Sequence, residues 1–145
     1  MNLITNRTQA DVDRLTELAS KGFANMTATE KAEWLAGMKG AYNYTDLNRV
    51  ETAVRYLAEL LGVTVTVKTD WAVTDIPSQT DMARYLNNIR SLRNVNSALS
   101  TTPSVPDSMA NLTYKTANDI EQILLDIEAR INSWFRCNEI FCGEV

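Results

Sequence analysis

Apolar residues recur along most of this chain at steps of three and four, the spacing that gathers them on one face of an α-helix. The first such stretch runs from Gln9 to Lys21, with Val12, Leu15, Leu18 and Ala19 on one side and Gly22 as a left-handed stop. A second, Ala28 to Met38, turns Trp34, Leu35 and Met38 inward and runs out at Gly37 or Gly40. The clearest pattern follows Asn43-Tyr44-Thr45-Asp46, where Leu47, Val50, Val54, Leu57 and Leu61 lead up to Gly62. Beyond Pro77, a long fourth helix has Met82, Tyr85, Leu86, Ile89, Leu92, Val95 and Leu99 as its buried stripe. A fifth, from Ala117 to about Phe135, carries Ile120, Ile123, Leu124, Ile127, Ile131 and Trp134. Helix starts are marked independently by Thr8 with Asp11, Thr27 with Glu30, Ser78 with Asp81 and Thr116 with Asp119. In this spacing the hydroxyl accepts a bond from an orphan amide of the first turn and the acid reaches back to another.

Between the third and fourth helices the period changes to two. Val63-Thr64-Val65-Thr66-Val67-Lys68-Thr69 alternates apolar and polar residues, which predicts a β-strand. Trp71-Ala72-Val73 is the candidate hairpin partner across Thr69-Asp70; packing on the helices or pairing with another chain would serve the same need. Pro103 and Pro106 make residues 100–108 an ordered Pro/Ser loop or a short linker. The expected fold is therefore mainly α: about five amphipathic helices in one bundle-like domain over residues 1–137, with a short β-strand or β-hairpin insertion near 63–73. Residues 138–145 read as a flexible or partner-held tail.

Composition narrows the function more than the fold. The chain has 145 residues, 45% of them hydrophobic, enough for a genuine core. It contains no histidine, which removes Ser-His-Asp and Cys-His catalysis, HExxH zinc sites and imidazole switches. With 14 Lys+Arg against 18 Asp+Glu the net charge is −4, the acid excess lying in residues 101–145, and a nucleic-acid surface would be basic. The first residues lack the basic start and apolar run of a signal peptide, and no stretch approaches a membrane span, so a product neither exported nor membrane-bound is expected. Asn6, Asn25, Asn43 and Asn111 each begin an Asn-x-Thr triplet, read here as turn and cap chemistry. Cys137 and Cys142 are too few for a zinc site and have the wrong spacing for a CxxC redox pair; reduced thiols are expected, with a small tail disulfide or an inter-chain bond as alternatives.

The candidate chemical groups have structural explanations beside the functional ones. Asp70, Asp75 and Asp81, or Asp46 with Glu51, would be the acids of a histidine-free hydrolase, yet most stand at turns or helix starts. Neither GxxxxGKS nor GxGxxG occurs. Arg84, Arg90 and Arg93 on the fourth helix suit a salt-bridged face better than a DNA contact. Trp34, Tyr42, Tyr44 and Trp71 are the aromatics available to stack on a sugar or fill a partner's pocket. Trp34 falls on its helix's apolar face, whereas Trp71, after a Thr-Asp turn, is the one aromatic that reads as an interface residue, with core packing an equal alternative.

At Lys39-Gly40-Ala41-Tyr42-Asn43-Tyr44-Thr45-Asp46-Leu47-Asn48-Arg49-Val50 the sequence resembles a small protein family encoded among tail and baseplate genes of phages and prophages of gut Firmicutes. Similarity continues in Arg7 to Arg14, in Met26-Thr27 with Glu30 and Trp34, in Lys68-Thr69-Asp70-Trp71 with Asp75-Ile76-Pro77, and in Leu112-Thr113-Tyr114 with Ala117-Asn118. It covers about residues 7 to 130, leaving Cys137 to Val145 outside. The resemblance implies a virion protein, made in the bacterial host cytoplasm, that serves as a non-enzymatic structural or adaptor component of the tail or baseplate. Its implied partners are other tail and baseplate proteins and further copies of itself, with no nucleic acid and no membrane. No catalytic, cofactor or metal residue is expected; the candidate assembly or ligand interface is Val63, Val65, Val67, Trp71, Tyr42 and Tyr44. A glycan- or receptor-binding module of the host-recognition apparatus is the alternative, and an intracellular regulator a more distant one.

Overall fold

Three of the four predicted capping boxes open helices at the expected residues in the computed structural model. The model describes residues 1–97 and 99–142, with the backbone alone from 137 to 142. Helix α1 spans Gln9–Lys21, α2 Ala28–Leu35, α3 Tyr44–Leu61, α4 Gln79–Val95 and α5 Tyr114–Cys142. Thr8, Thr27 and Ser78 cap α1, α2 and α4 with their acidic partners three residues on, and Asn43 with Asp46 does the same for α3. The fifth start differs. Thr113 and Thr116 exchange hydroxyl bonds with each other's amides, so α5 begins ahead of the Thr116/Asp119 spacing.

Helices α3, α4 and α5 pack against one another around a single core. Leu47, Val50, Val54 and Leu57 of α3 meet Tyr85, Leu86, Ile89 and Leu92 of α4 and Ile120, Ile123, Leu124, Ile127 and Ile131 of α5. A smaller cluster of Leu18, Met26 and Met38, with Leu15 and Trp34 half-buried against it, holds α1 and α2. The short α2 corrects the expected inward face: Gly37 adopts φ 88° and turns the chain, which leaves Leu35 74% exposed while Met38 reaches the cluster from beyond the turn. Ala19 is likewise exposed on α1. Gly40 joins the two clusters. A Cβ there would stand 2.2 Å from the Asp11 carbonyl oxygen, so this close approach of the 38–42 turn to α1 requires glycine.

The predicted β insertion is absent; among the described residues there is no strand. Segment 63–70 is extended and does set Val63, Val65 and Val67 half-buried against the core, with Thr64 and Thr66 outward. No second strand lies beside it, and 71–73 makes no hairpin arm. Helices α3 and α4 satisfy its backbone instead: Arg84 Nη1 and Asn88 Nδ2 both donate to Thr66 O at 2.7 Å, and Lys68 N–H donates to Glu51 at 2.8 Å. Alternation is thus a property of extended backbone lying on an apolar floor, whichever groups complete its hydrogen bonds.

The Pro/Ser loop is tied down by the arginines of α4. Arg93 donates to Pro103 O and Thr102 O, and Arg90 to Pro106 O. Two further corrections concern helix ends. Val95 and Leu99 are exposed because α4 stops at Val95, and Trp134 is exposed because α5 runs on past Ile131, its last buried residue among the described side chains. The backbone of α5 is helical to Cys142, into the stretch expected to be tail. The thiols of Cys137 and Cys142 and the residues from 143 onward lie outside the described side chains and residues. No helix among the described residues is long and apolar enough to cross a membrane.

Candidate functional site

Two glutamates interrupt apolar stripes and organise the polar interior. Glu121 lies in line with Ala117 and Leu124 on α5, and Glu51 with Leu47 and Val54 on α3, so helix geometry carries both carboxylates into the core. A charge buried this way must be paired and hydrogen-bonded. Glu121 accepts from Arg7 Nη2 at 2.7 Å and from Arg49 at 2.8 and 3.0 Å, and its other bond comes from the Ile4 amide. Asp46, one turn before Arg49, bonds the same two guanidiniums, Arg7 at 2.8 Å. The four side chains form a neutral cluster of two acids and two bases. Arg7 also donates to Ile4 O and lies 5.4 Å from the Tyr42 ring centroid. Its Nε is the one buried side-chain nitrogen or oxygen without a partner among the described residues.

Glu51 is held as tightly. Arg84 donates to both its oxygens at 2.6 and 2.9 Å, Trp71 Nε1 donates at 3.1 Å and the Lys68 amide completes the set. The remaining acids considered for catalysis are engaged locally or free in solvent. Asp75 pairs with Lys68 at 2.7 Å and accepts from the Ala72 amide, Asp81 completes the α4 cap, and Asp70 is exposed. The Lys68 ammonium holds the Asp75 carboxyl below its ordinary value. Asp46, Glu51 and Glu121 are thus acceptors in buried sets, while Asp75 pairs at the surface. Among the described residues no cluster is placed to share a metal ion.

The aromatics singled out in the sequence do converge. Trp34, Tyr42, Tyr44 and Trp71 all line one groove of about 490 Å³ between the α2–α3 turn and the 71–77 loop, with Asn43, Thr45 and Asp75 as its polar side chains. Their availability differs from expectation. Trp71 is buried, 5% exposed, with its backbone N–H and C=O bonded to Asn48 at 2.7 and 2.9 Å and Lys68 Nζ 4.0 Å above its ring. Tyr42 is bonded through its hydroxyl to Tyr85 and fills the wall between this groove and a neighbouring one. Tyr44 is exposed and is the most accessible of the four, Trp34 and Tyr42 being half-buried. Val63, Val65 and Val67 belong to the core margin, away from the groove lining. The residues that sequence reasoning passed over are Arg7 and Glu121; the available signal was a glutamate inside the α5 apolar stripe, which demands a buried base.

Burial raises the ionisation of both Tyr42 and Tyr85 above the ordinary phenol value, with each hydroxyl facing the other. A group raised in the fold contributes stability that is intact below its unfolded value, about 10, and is lost as pH climbs through the folded one. The urea midpoint is therefore expected to fall above about pH 10, and Tyr85→Phe to flatten that alkaline loss. An unchanged alkaline slope in the variant would overturn the assignment.

Comparison of the chain with protein-family models, with curated proteins and with solved structures gives no match in any of the three.

Proposed function

We propose that this chain is a non-enzymatic structural or adaptor component of a phage tail or baseplate, carried in the virion in several copies. The observation that supports it is where the residues of the resemblance stand. Arg7 bonds Asp46, its backbone exchanges two bonds with Asn118, Asn48 clamps Trp71, Lys68 pairs with Asp75 and Lys39 donates to Asn6 O beside Arg7. The separated similar segments are one another's hydrogen-bond partners, so the shared string is a set of fold locks. A string of that kind carries an architecture from one protein to another without carrying a reaction, which suits an assembly module. Mass spectrometry of tail particles purified from the source phage tests the reading. The chain is expected among the particle proteins at a fixed ratio, and its absence from intact particles overturns the proposal.

The aromatic groove favours a second reading, recognition of a host-surface glycan. Tyr44 offers a stacking face beside the Asn43 amide and the Asp75 carboxylate, the combination of apolar face and polar rim that sugars require. Glycan-array signal that vanishes in Tyr44→Ala with an unchanged thermal melt supports it; an array without signal removes it.

A further inference from the structure

Across Tyr42 from the aromatic groove lies a cavity of about 820 Å³, bounded by the 7–12 stretch, the 40–42 turn and the starts of α4 and α5. Its size is that of a site enclosing a small organic molecule, and its apolar wall is Val12, Leu47, Met82, Met109 and Leu112. The polar wall groups belong together in the fold. Thr113, Tyr114 and Lys115 form the start of α5, and Arg7 exchanges two backbone bonds with Asn118 one turn further on.

Two independent features of this wall call for an acceptor. Arg7 has a side chain only 2% exposed, with Nη1 engaged by Ile4 O and Nη2 by Asp46 and Glu121, yet its Nε has no partner. A buried donor left unmet is costly, and here it belongs to a residue that walls an open cavity. The second feature is the helix start. Thr113 Oγ1 caps the Thr116 amide, which leaves the Tyr114 and Lys115 amides without an intrahelical partner at the positive end of a 29-residue helix. Helices α1 to α4 each fill this place with an acid of their own first turn, and α5 has none. No acidic side chain lines the cavity, whereas Lys115, exposed and in no ion pair among the described residues, does. Since Arg7 and Arg49 are balanced by Asp46 and Glu121, the uncancelled positive charge on this wall is that of Lys115 and the helix end.

We propose that this cavity binds a small amphipathic carboxylate, its apolar body against Met82 and Met109 and its carboxylate at the start of α5, accepting from Arg7 Nε and facing Lys115. An inorganic anion would leave the apolar wall wet, and a neutral apolar molecule would leave Nε and the helix end unmet. The site goes beyond the assembly reading and stands or falls without it.

The methionines report on it directly, because Met26 and Met38 belong to the separate α1–α2 cluster. In the full chain labelled with 13C at the methionine methyls and 15N at arginine, octanoate or 3-phenylpropionate is expected to shift Met82, Met109 and the Arg7 Nε–H signal and to leave Met26 unmoved. The expected Kd is about 10–500 μM, in keeping with ligands of ten or so heavy atoms. 1-Octanol, with the same chain and no charge, is expected to bind at least about 10-fold more weakly. Lys115→Gln is expected to weaken octanoate about threefold and Lys115→Glu about 10-fold, each with an unchanged thermal melt because the side chain is exposed. Tyr44→Ala, on the other side of Tyr42, is expected to bind octanoate like the parent. Met82, Met109 or Arg7 signals unmoved by both acids up to about 5 mM, octanol as tight as octanoate, or undiminished binding in Lys115→Glu each overturns the proposal.

Discussion

Replacing Arg7 by Met is expected to cost about 3–5 kcal/mol of folding stability, seen as a lower urea midpoint at an unchanged slope. The magnitude follows from what the guanidinium leaves behind. Arg7 is buried, its Nη2 bridges Asp46 and Glu121, and Nη1 donates to Ile4 O at 2.7 Å. Methionine fills much of the same aliphatic volume, so packing changes little, but the two acids then share Arg49 alone and the interior carries an uncompensated negative charge. Breaking a buried pair from one side costs far more than the pair contributes as a whole, because desolvation of the remaining ion is no longer offset. The double variant Arg7→Met with Glu121→Gln restores neutrality and is expected to be more stable than Arg7→Met alone. A single variant within about 1 kcal/mol of the parent would mean that the cluster is wetter than its burial indicates.

That cluster marks where reading the sequence succeeds and where it stops. Helix positions were legible where two local signals coincide, apolar spacing along the helix and a hydroxyl or amide cap at its start, as at Thr8 for α1 and Asn43 for α3. Local signals failed where a distant element decides the outcome. Val63 to Val67 alternates as a strand does, yet Arg84, Asn88 and Glu51 complete its hydrogen bonds from helices on either side in the chain. Val95, Leu99 and Trp134 continue the apolar spacing of their helices, but burial needs an opposing surface, and among the described residues none covers them. The pairing of Arg7 with Glu121 spans most of the chain, and no periodicity encodes it. Of the candidate site, the gathering of Trp34, Tyr42, Tyr44 and Trp71 was legible only as composition. Which of them faces solvent depended on Asn48 and Glu51, whose side chains draw Trp71 inward.

Trp71→Ala is accordingly expected to destabilise the fold by about 3–5 kcal/mol, as a large aromatic truncation in a core does. Two side-chain attachments are at stake besides the ring's burial. The indole N–H donates to Glu51 at 3.1 Å, Lys68 Nζ lies over the ring at 4.0 Å, and the backbone is clamped by Asn48, so the side chain anchors the start of the 71–77 loop to α3. Alanine removes the first two and opens a cavity beside Glu51, whose bonds to Arg84 and the Lys68 amide remain. Trp71→Phe separates the contributions in part: it keeps an aromatic face and loses the N–H and one ring, for an expected cost of about 1–2 kcal/mol, because Arg84 still satisfies the Glu51 oxygen. A thermal melt of Trp71→Ala matching the parent would instead place the indole at an exposed interface. If the expected loss is found, the same variant also loosens the groove wall that Tyr44 shares, so weakened glycan binding in it reports a displaced loop and only Tyr44→Ala reports the contact itself.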